Sequence, residues 1–346
     1  MKTIDLRSDT VTLPTPSMRE AIYRAELGDD VFGEDPTTNR LERMAAERMG
    51  KEAAMLVVSG TMGNLVCLLT QCQRGEEAIL GDKSHTFLYE AGGMSALGGI
   101  HPHTVRNQPD GTMQLTDIEA AIRGDNVHFP RTRLLCLENT HNRCGGSALT
   151  PEYTDAAAAL AKDRGIWVHL DGARIFNAAA ALGVDVKELT RNVDSLIFCL
   201  SKGLSAPVGS VVCGSRDFIT EARRVRKVLG GGMRQCGIIA AAGITALEQM
   251  VDRIAEDHAN ARRLAEGIAR IPGLAINREG TQTNIIYFEP VDEQLTAKTL
   301  VKELGEKGIK LLQIGPSRIR AVTHYGITAE DIDLTLAALG KKMQKS

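Results

Sequence analysis

Short apolar runs alternating with well-capped helical stretches constrain this chain more than any other feature. Six runs, at residues 54–58, 77–80, 134–138, 167–171, 195–200 and 208–213, are rich in apolar side chains at successive positions. Runs of this length, separated by helices, read as strands buried on both faces of a mainly parallel sheet. An α/β architecture is therefore expected. Between the runs, Ser17 with Glu20 fits a capping box opening a helix over 18–26, and Thr116 with Glu119 fits another that stops at Gly124. Ser59 to Asn64 leads into a helix over 65–72. Thr150-Pro151 opens an alanine-rich helix ending at Gly165. A long helical stretch over 238–270 is broken off by Pro272-Gly273. Beyond it the spacing predicts strands at 274–277, 285–289, 309–314 and 318–323 and helices at 296–307 and 329–342. We expect an N-terminal arm at 1–16, a large domain at 17–250 and a smaller α+β domain at 251–346.

Composition removes whole classes of function. Lys plus Arg number 41 and Asp plus Glu 43, a net charge of −2, which argues against a nucleic-acid partner. No apolar run approaches the roughly 20 residues that span a bilayer, so no membrane partner is expected. The N-terminal residues lack the apolar core of a signal peptide. Seven cysteines, an odd number with no CxxC pair, lie mostly in apolar settings and read as reduced thiols. A cytoplasmic protein without a metal site is expected. Glycine stands out, at 34 of 346 residues against roughly 7% in an average chain. Such a surplus without low complexity suggests backbone drawn closely around a ligand.

Two constellations carry chemistry. Asp171 ends the run at 167–171, and Lys202 follows the run at 195–200. Both lie at carboxyl ends of neighbouring strands, where open α/β sheets bind ligands. A lysine that can form a Schiff base and a carboxylate that can keep a ring nitrogen protonated are what pyridoxal phosphate requires. Taken singly, each also fits a bland role, Asp171 as a turn residue and Lys202 as a solvated cation. The second constellation is Ser59-Gly60-Thr61-Met62-Gly63-Asn64, a small-residue turn between a strand and a helix. Its free N–H groups and helix dipole suit an anion, although it is neither a Walker A sequence nor GxGxxG.

Across essentially its whole length the chain resembles the low-specificity L-threonine aldolases, pyridoxal-phosphate lyases of the aspartate-aminotransferase fold type. The segments that carry the resemblance begin with Asp5-Leu6-Arg7-Ser8-Asp9-Thr10-Val11-Thr12, Gly28-Asp29-Asp30-Val31-Phe32-Gly33-Glu34-Asp35-Pro36 and the turn at Ser59. They continue through His85, Tyr89-Glu90-Ala91-Gly92-Gly93, Glu138-Asn139-Thr140-His141-Asn142 and His169-Leu170-Asp171-Gly172-Ala173-Arg174. Ser201-Lys202-Gly203-Leu204 with Pro207-Val208-Gly209-Ser210, Leu229-Gly230-Gly231-Gly232-Met233-Arg234-Gln235 and Arg320-Ala321-Val322-Thr323-His324 complete the set.

The resemblance implies a fold type I large domain on a mainly parallel seven-stranded sheet, a smaller C-terminal α+β domain, and retro-aldol cleavage of L-threonine or L-allo-threonine. It implies that Lys202 carries the cofactor as a Schiff base and that Asp171 pairs with its ring nitrogen. Ser59, Gly60 and Thr61 would hold its phosphate and His85 would stack on its ring. Ser8, Arg174 and Arg320 would bind the amino-acid carboxylate, with Arg318 a competitor for the last place and Arg174 also beside the cofactor. Lys227 and Arg234, flanking the Gly230–Gly232 loop, would reach a neighbouring subunit's phosphate, as in a homotetramer built from dimers that share their sites. His85 and His128 are both candidates for the general base. Phe32 stands where the family usually has tyrosine, at the substrate mouth, and leaves side-chain preference open. The nearest rivals are a β-eliminating lyase or aminotransferase on the same cofactor frame, and a non-catalytic small-molecule-binding protein.

Overall fold

In the computed structural model, which describes residues 2–278, 280–291 and 295–344, the apolar runs become strands of one sheet. After β1 (Ile4–Asp5), the sheet is built from β2 (Ala53–Val57), β3 (Glu77–Gly81), β4 (His101–Val105), β5 (Thr132–Glu138), β6 (Trp167–Asp171), β7 (Ser195–Cys199) and β8 (Ser210–Gly214). Their order is β2-β8-β7-β6-β5-β3-β4. Every neighbouring pair is parallel except those of β8, which runs antiparallel to β2 and β7. Residues of β7 alternate between two cores, Leu196 and Phe198 in one and Ile197 and Cys199 in the other. This two-sided burial makes the run continuously apolar.

Several local expectations need correction. β4 was not expected, because its His-Pro-His sequence is polar and it forms the partly exposed edge of the sheet. The first helix is Pro16–Tyr23, capped by Thr15 and not by Ser17. Pro16 occupies the first turn, where its missing N–H costs nothing, and Thr15 Oγ1 accepts the Met18 N–H at 3.1 Å. The helix Leu115–Ala121 begins at Gln114 with no side-chain cap, so Thr116 lies inside it. The stretch 238–270 is two helices, Gly237–Gln249 and Ile254–Ile268. No glycine or proline marks the break at residues 250–253, so apolar spacing carries across it unnoticed. The helix expected at 65–72 starts earlier, at Gly60. Thr150 does cap Pro151–Asp163, and Gly165 takes the left-handed φ of 67° that follows such a helix.

A second apolar core gathers Leu6, Leu264, Ile268, Phe288, Leu300 and Ile319, among others. Its sheet is antiparallel, from β9 (Leu274–Ile276), β10 (Ile285–Pro290), β12 (Leu312–Ile314) and β13 (Arg318–Val322), in the order β12-β13-β10-β9. The run expected at 309–314 therefore divides, because β11 (Ile309–Lys310) pairs instead with β1. That pairing, and the bond from Val322 N to the Leu6 carbonyl at 2.8 Å, fasten the N-terminal arm to the smaller sheet. The arm then delivers Ser8 and Asp9 to the carboxyl edge of the larger one. Among the described residues, no helix is long and apolar enough to cross a membrane.

Candidate active site

Parallel strands bring their carboxyl ends to one edge, and there the loops after β2, β3, β5, β6 and β7 converge. Asp171, the last residue of β6, is 4% exposed. Its carboxylate accepts from Asn64 Nδ2 at 2.9 Å and from the Ala173 N–H at 3.1 Å. Gly172 must be glycine, since a Cβ there would meet the Ile197 carbonyl at 2.6 Å. Lys202 lies half-buried in the turn after β7. Its carbonyl is held by Thr12 Oγ1 at 3.2 Å and by the Ser205 N–H at 2.9 Å. The lysine charge acts on both Asp9 and His85.

The helix Gly60–Gln71 opens directly after β2, and Ser59 caps it by accepting the Met62 N–H at 3.2 Å. A helix start has four N–H groups without intrahelical partners; here those of Gly60 and Thr61 stay open for an anion. Gly63 lets this turn approach β7, because a Cβ would lie 2.9 Å from Ile197. The turn also delivers Asn64 into the interior.

His85 follows β3 and is the first residue of a short helix. Its N–H donates to Glu138 Oε2 at 2.7 Å, and its Nδ1 lies 2.9 Å from Glu90 Oε1. Burial alone would lower the imidazole's proton affinity, but Glu90 and Asp171 outweigh it and raise the pKa. Burial, with Asp171 nearby, in turn raises the Glu90 carboxyl.

Opposite lie two guanidinium groups. Arg174 is fully buried, its Nε and Nη2 donating to the two carboxylate oxygens of Asp9 at 2.6 and 2.7 Å. Burial opposes ionisation of Asp9, yet Arg174, Lys202 and Asn284 together hold its carboxyl far below the usual range. Arg320 on β13 donates to Asn142 Oδ1 and to the Arg7 carbonyl, each at 3.0 Å. Its Nε is buried without a partner among the described residues. Burial and then the neighbouring Arg174 charge lower its pKa. Asp9 compensates one of the two cations, so one positive charge is left facing the site. Arg318 competes no longer, since Glu289 takes its Nε at 2.9 Å and Tyr287 lies under it. Ser8 caps the short turn Asp9–Val11 beside this pair.

Three of the remaining expected residues, Phe32, Lys227 and Arg234, sit on the rim. Phe32 is 74% exposed. Lys227 ends an exposed helix face, and Arg234 pairs with Asp29 at 3.1 Å while half exposed. His128 is not brought to this site: its turn, where its N–H donates to Asn126, packs through Phe129 against Arg123, which pairs with Glu77 at the amino end of β3, the opposite edge of the sheet. Asp9, Asn64 and Glu90 carry functional contacts that their places in the sequence motifs did not reveal. The signal, available only in retrospect, is an acidic or amide residue at positions the fold buries.

The chain matches the beta-eliminating lyase family over residues 5–290. It is 51% identical over 347 residues to low-specificity L-threonine aldolase 1 of Arabidopsis thaliana, covering 99% of this chain and 97% of that one. Against the low specificity L-threonine aldolase of Escherichia coli K12 identity is 47% over 331 residues, covering 95% and 96%. The structure of a Leishmania major threonine aldolase superposes with a TM-score of 0.85 over 98% of this chain and 99% of that one, at 19% identity. This chain is a member of the beta-eliminating lyase family and, within it, of the low-specificity L-threonine aldolases. Its fold is that of pyridoxal-phosphate fold type I enzymes, and its cofactor is pyridoxal phosphate. The donor set fits that group: a buried carboxylate accepting from two donors, a lysine one strand away, and an open helix start.

Proposed function

We propose that this chain cleaves L-threonine and L-allo-threonine, and other L-β-hydroxy-α-amino acids, to glycine and the corresponding aldehyde. The observation that carries the reading is the uncompensated positive charge of the Arg174–Arg320 pair, with a buried unpartnered Nε, beside Asp171 and Lys202. A site built for a carboxylate next to a pyridinium partner suits an amino-acid substrate.

When bound, pyridoxal phosphate supplies the electron sink for the pair released from the broken Cα–Cβ bond. Lys202 would hold its aldehyde carbon, Asp171 its ring-nitrogen proton, and Ser59, Gly60 and Thr61 its phosphate. Arg174, Arg320 and Ser8 would clamp the substrate carboxylate. That clamp restricts rotation about N–Cα, and the rotation selects which Cα bond breaks. His85 takes the β-hydroxyl proton as the Cα–Cβ bond breaks, the aldehyde leaves, and a proton returned to Cα gives glycine.

Incubation with either diastereomer is expected to release acetaldehyde and glycine in equal amounts. 2-Oxobutanoate and ammonia instead would mean β-elimination, the rival reading that the family name keeps in play. We further propose a homotetramer of dimers in which Phe32, Lys227 and Arg234 serve a neighbouring copy's site; their exposure in one protomer supports this. Light scattering tests it, and a monomeric mass would refute it. A cytoplasmic location accords with seven free cysteines. Two separate cores support dividing the chain into 17–250 and 251–346, with 1–16 as an arm.

A further inference from the structure

Beneath the site, five side chains from four segments form one hydrogen-bonded unit. Asn64 Nδ2 donates to Glu90 Oε1 at 2.8 Å and to Asp171 Oδ2 at 2.9 Å. Asn64 Oδ1 lies 3.0 Å from His169 Nε2, and His169 Nδ1 lies 2.9 Å from Ser195 Oγ. An amide oxygen only accepts, so His169 Nε2 carries a proton. Burial keeps that imidazole neutral, with a pKa lowered to about 4. The two carboxylates only accept, so the Asn64 amide cannot turn over, and both of its N–H bonds are spent on them. Glu90 Oε1 is then held where His85 Nδ1 meets it. A carboxylate accepts, so Nδ1 is the protonated nitrogen of His85 and Nε2 carries the lone pair.

We propose that Glu90, fixed by Asn64, is a positioning residue of the reaction: it holds the His85 ring by Nδ1 and ties it to Asp171, so that Nε2 is the atom that takes the substrate's hydroxyl proton. The inference rests on the reading of His85 as the base. Glu90 acts on the reaction through His85, as the carboxylate of a carboxylate–imidazole pair orients the ring and stabilises the imidazolium that forms. The proton leaves the β-hydroxyl for Nε2, and the positive charge it brings is met by the Glu90 carboxylate. The charged groups facing the ring are Glu90 on its own segment, Asp171 on β6 and Lys202 after β7, while Glu138 on β5 accepts the backbone N–H of His85.

The test is NMR of the full chain labelled in histidine, with and without pyridoxal phosphate, the His85 signal being assigned by His85→Asn. The neutral ring is expected as the Nδ1–H tautomer, and in Glu90→Gln its titration is expected to fall by about one pH unit or more. In Glu90→Gln, kcat for L-threonine should fall about 10- to 100-fold with KM changed less than about twofold. The acid limb of its pH profile should move to lower pH, and Glu90→Asp should restore part of kcat. An Nε2–H tautomer in the wild-type ring overturns the proposal, whether or not Glu90→Gln folds. So does a folded Glu90→Gln whose His85 titration and kcat are unmoved. Loss of colour and turnover in Lys202→Ala judges the site assignment separately, since the tautomer is read without turnover.

Discussion

The inner wall and the rim of the site are built differently. On the wall, Asp171, Asn64, Glu90, His85, Arg174 and Asp9 are fixed by hydrogen bonds to one another within a single chain. On the rim, Phe32, Lys227 and Arg234 reach outward from exposed turns and helix faces. The difference teaches that the charge-handling groups are preorganised by one fold, where burial makes every unpaired polar atom costly. The mouth has no such enforcement, and its residues are free to serve a second copy or to vary with substrate size.

That contrast can be broken from either side. The largest effect is expected from Lys202→Ala, which should abolish turnover and the visible absorption of the bound cofactor together. A colourless wild-type protein would overturn the whole wall assignment. Next, Asp9→Asn strands a buried guanidinium and should cost about 3–5 kcal/mol of stability, read by urea unfolding, because one partner of a buried pair is removed. Arg320→Met should raise KM for L-threonine about tenfold or more with a smaller change in kcat, as for loss of a charge-assisted bond to a carboxylate.

A weaker effect concerns pH. His169 and His258 are each held neutral by burial, with pKa values lowered to about 4. Their folded values lie below the unfolded one of about 6.5, so the unfolded chain binds more protons between the two. Stability from both is present above about pH 6.5 and is lost as pH falls toward 4. The urea midpoint should therefore drop between pH 7 and pH 5. The smallest effect should follow Phe32→Tyr on the rim: a change in the ratio of kcat/KM for the two threonine diastereomers of less than about tenfold, with stability within about 0.5 kcal/mol of wild type. A large loss of stability there would erase the distinction between wall and rim.

Much of the wall was legible because strand ends are local signals. An apolar run that stops at an aspartate, and another that stops just before a lysine, place Asp171 and Lys202 on one sheet edge without any knowledge of packing. The small-residue turn at Ser59 was equally plain. What escaped was the support. Glu90 and Asn64 stand 26 residues apart, and Asp9 and Arg174 stand 165 apart; nothing local says that either pair meets. The division of the stretch 238–270 escaped for the opposite reason, since its apolar spacing looks continuous on both sides of the break.

By itself, then, the sequence determined the α/β alternation, the placing of Lys202 and Asp171 at one sheet edge, and the family, because each depends on residue types at short spacing. Only the tertiary structure decided which arginine faces the site and which is neutralised by Glu289, which nitrogen of His85 is held, and that Asn64 joins two carboxylates. Those depend on distances between remote segments, which burial sets when the arm, the large sheet and the smaller sheet pack together.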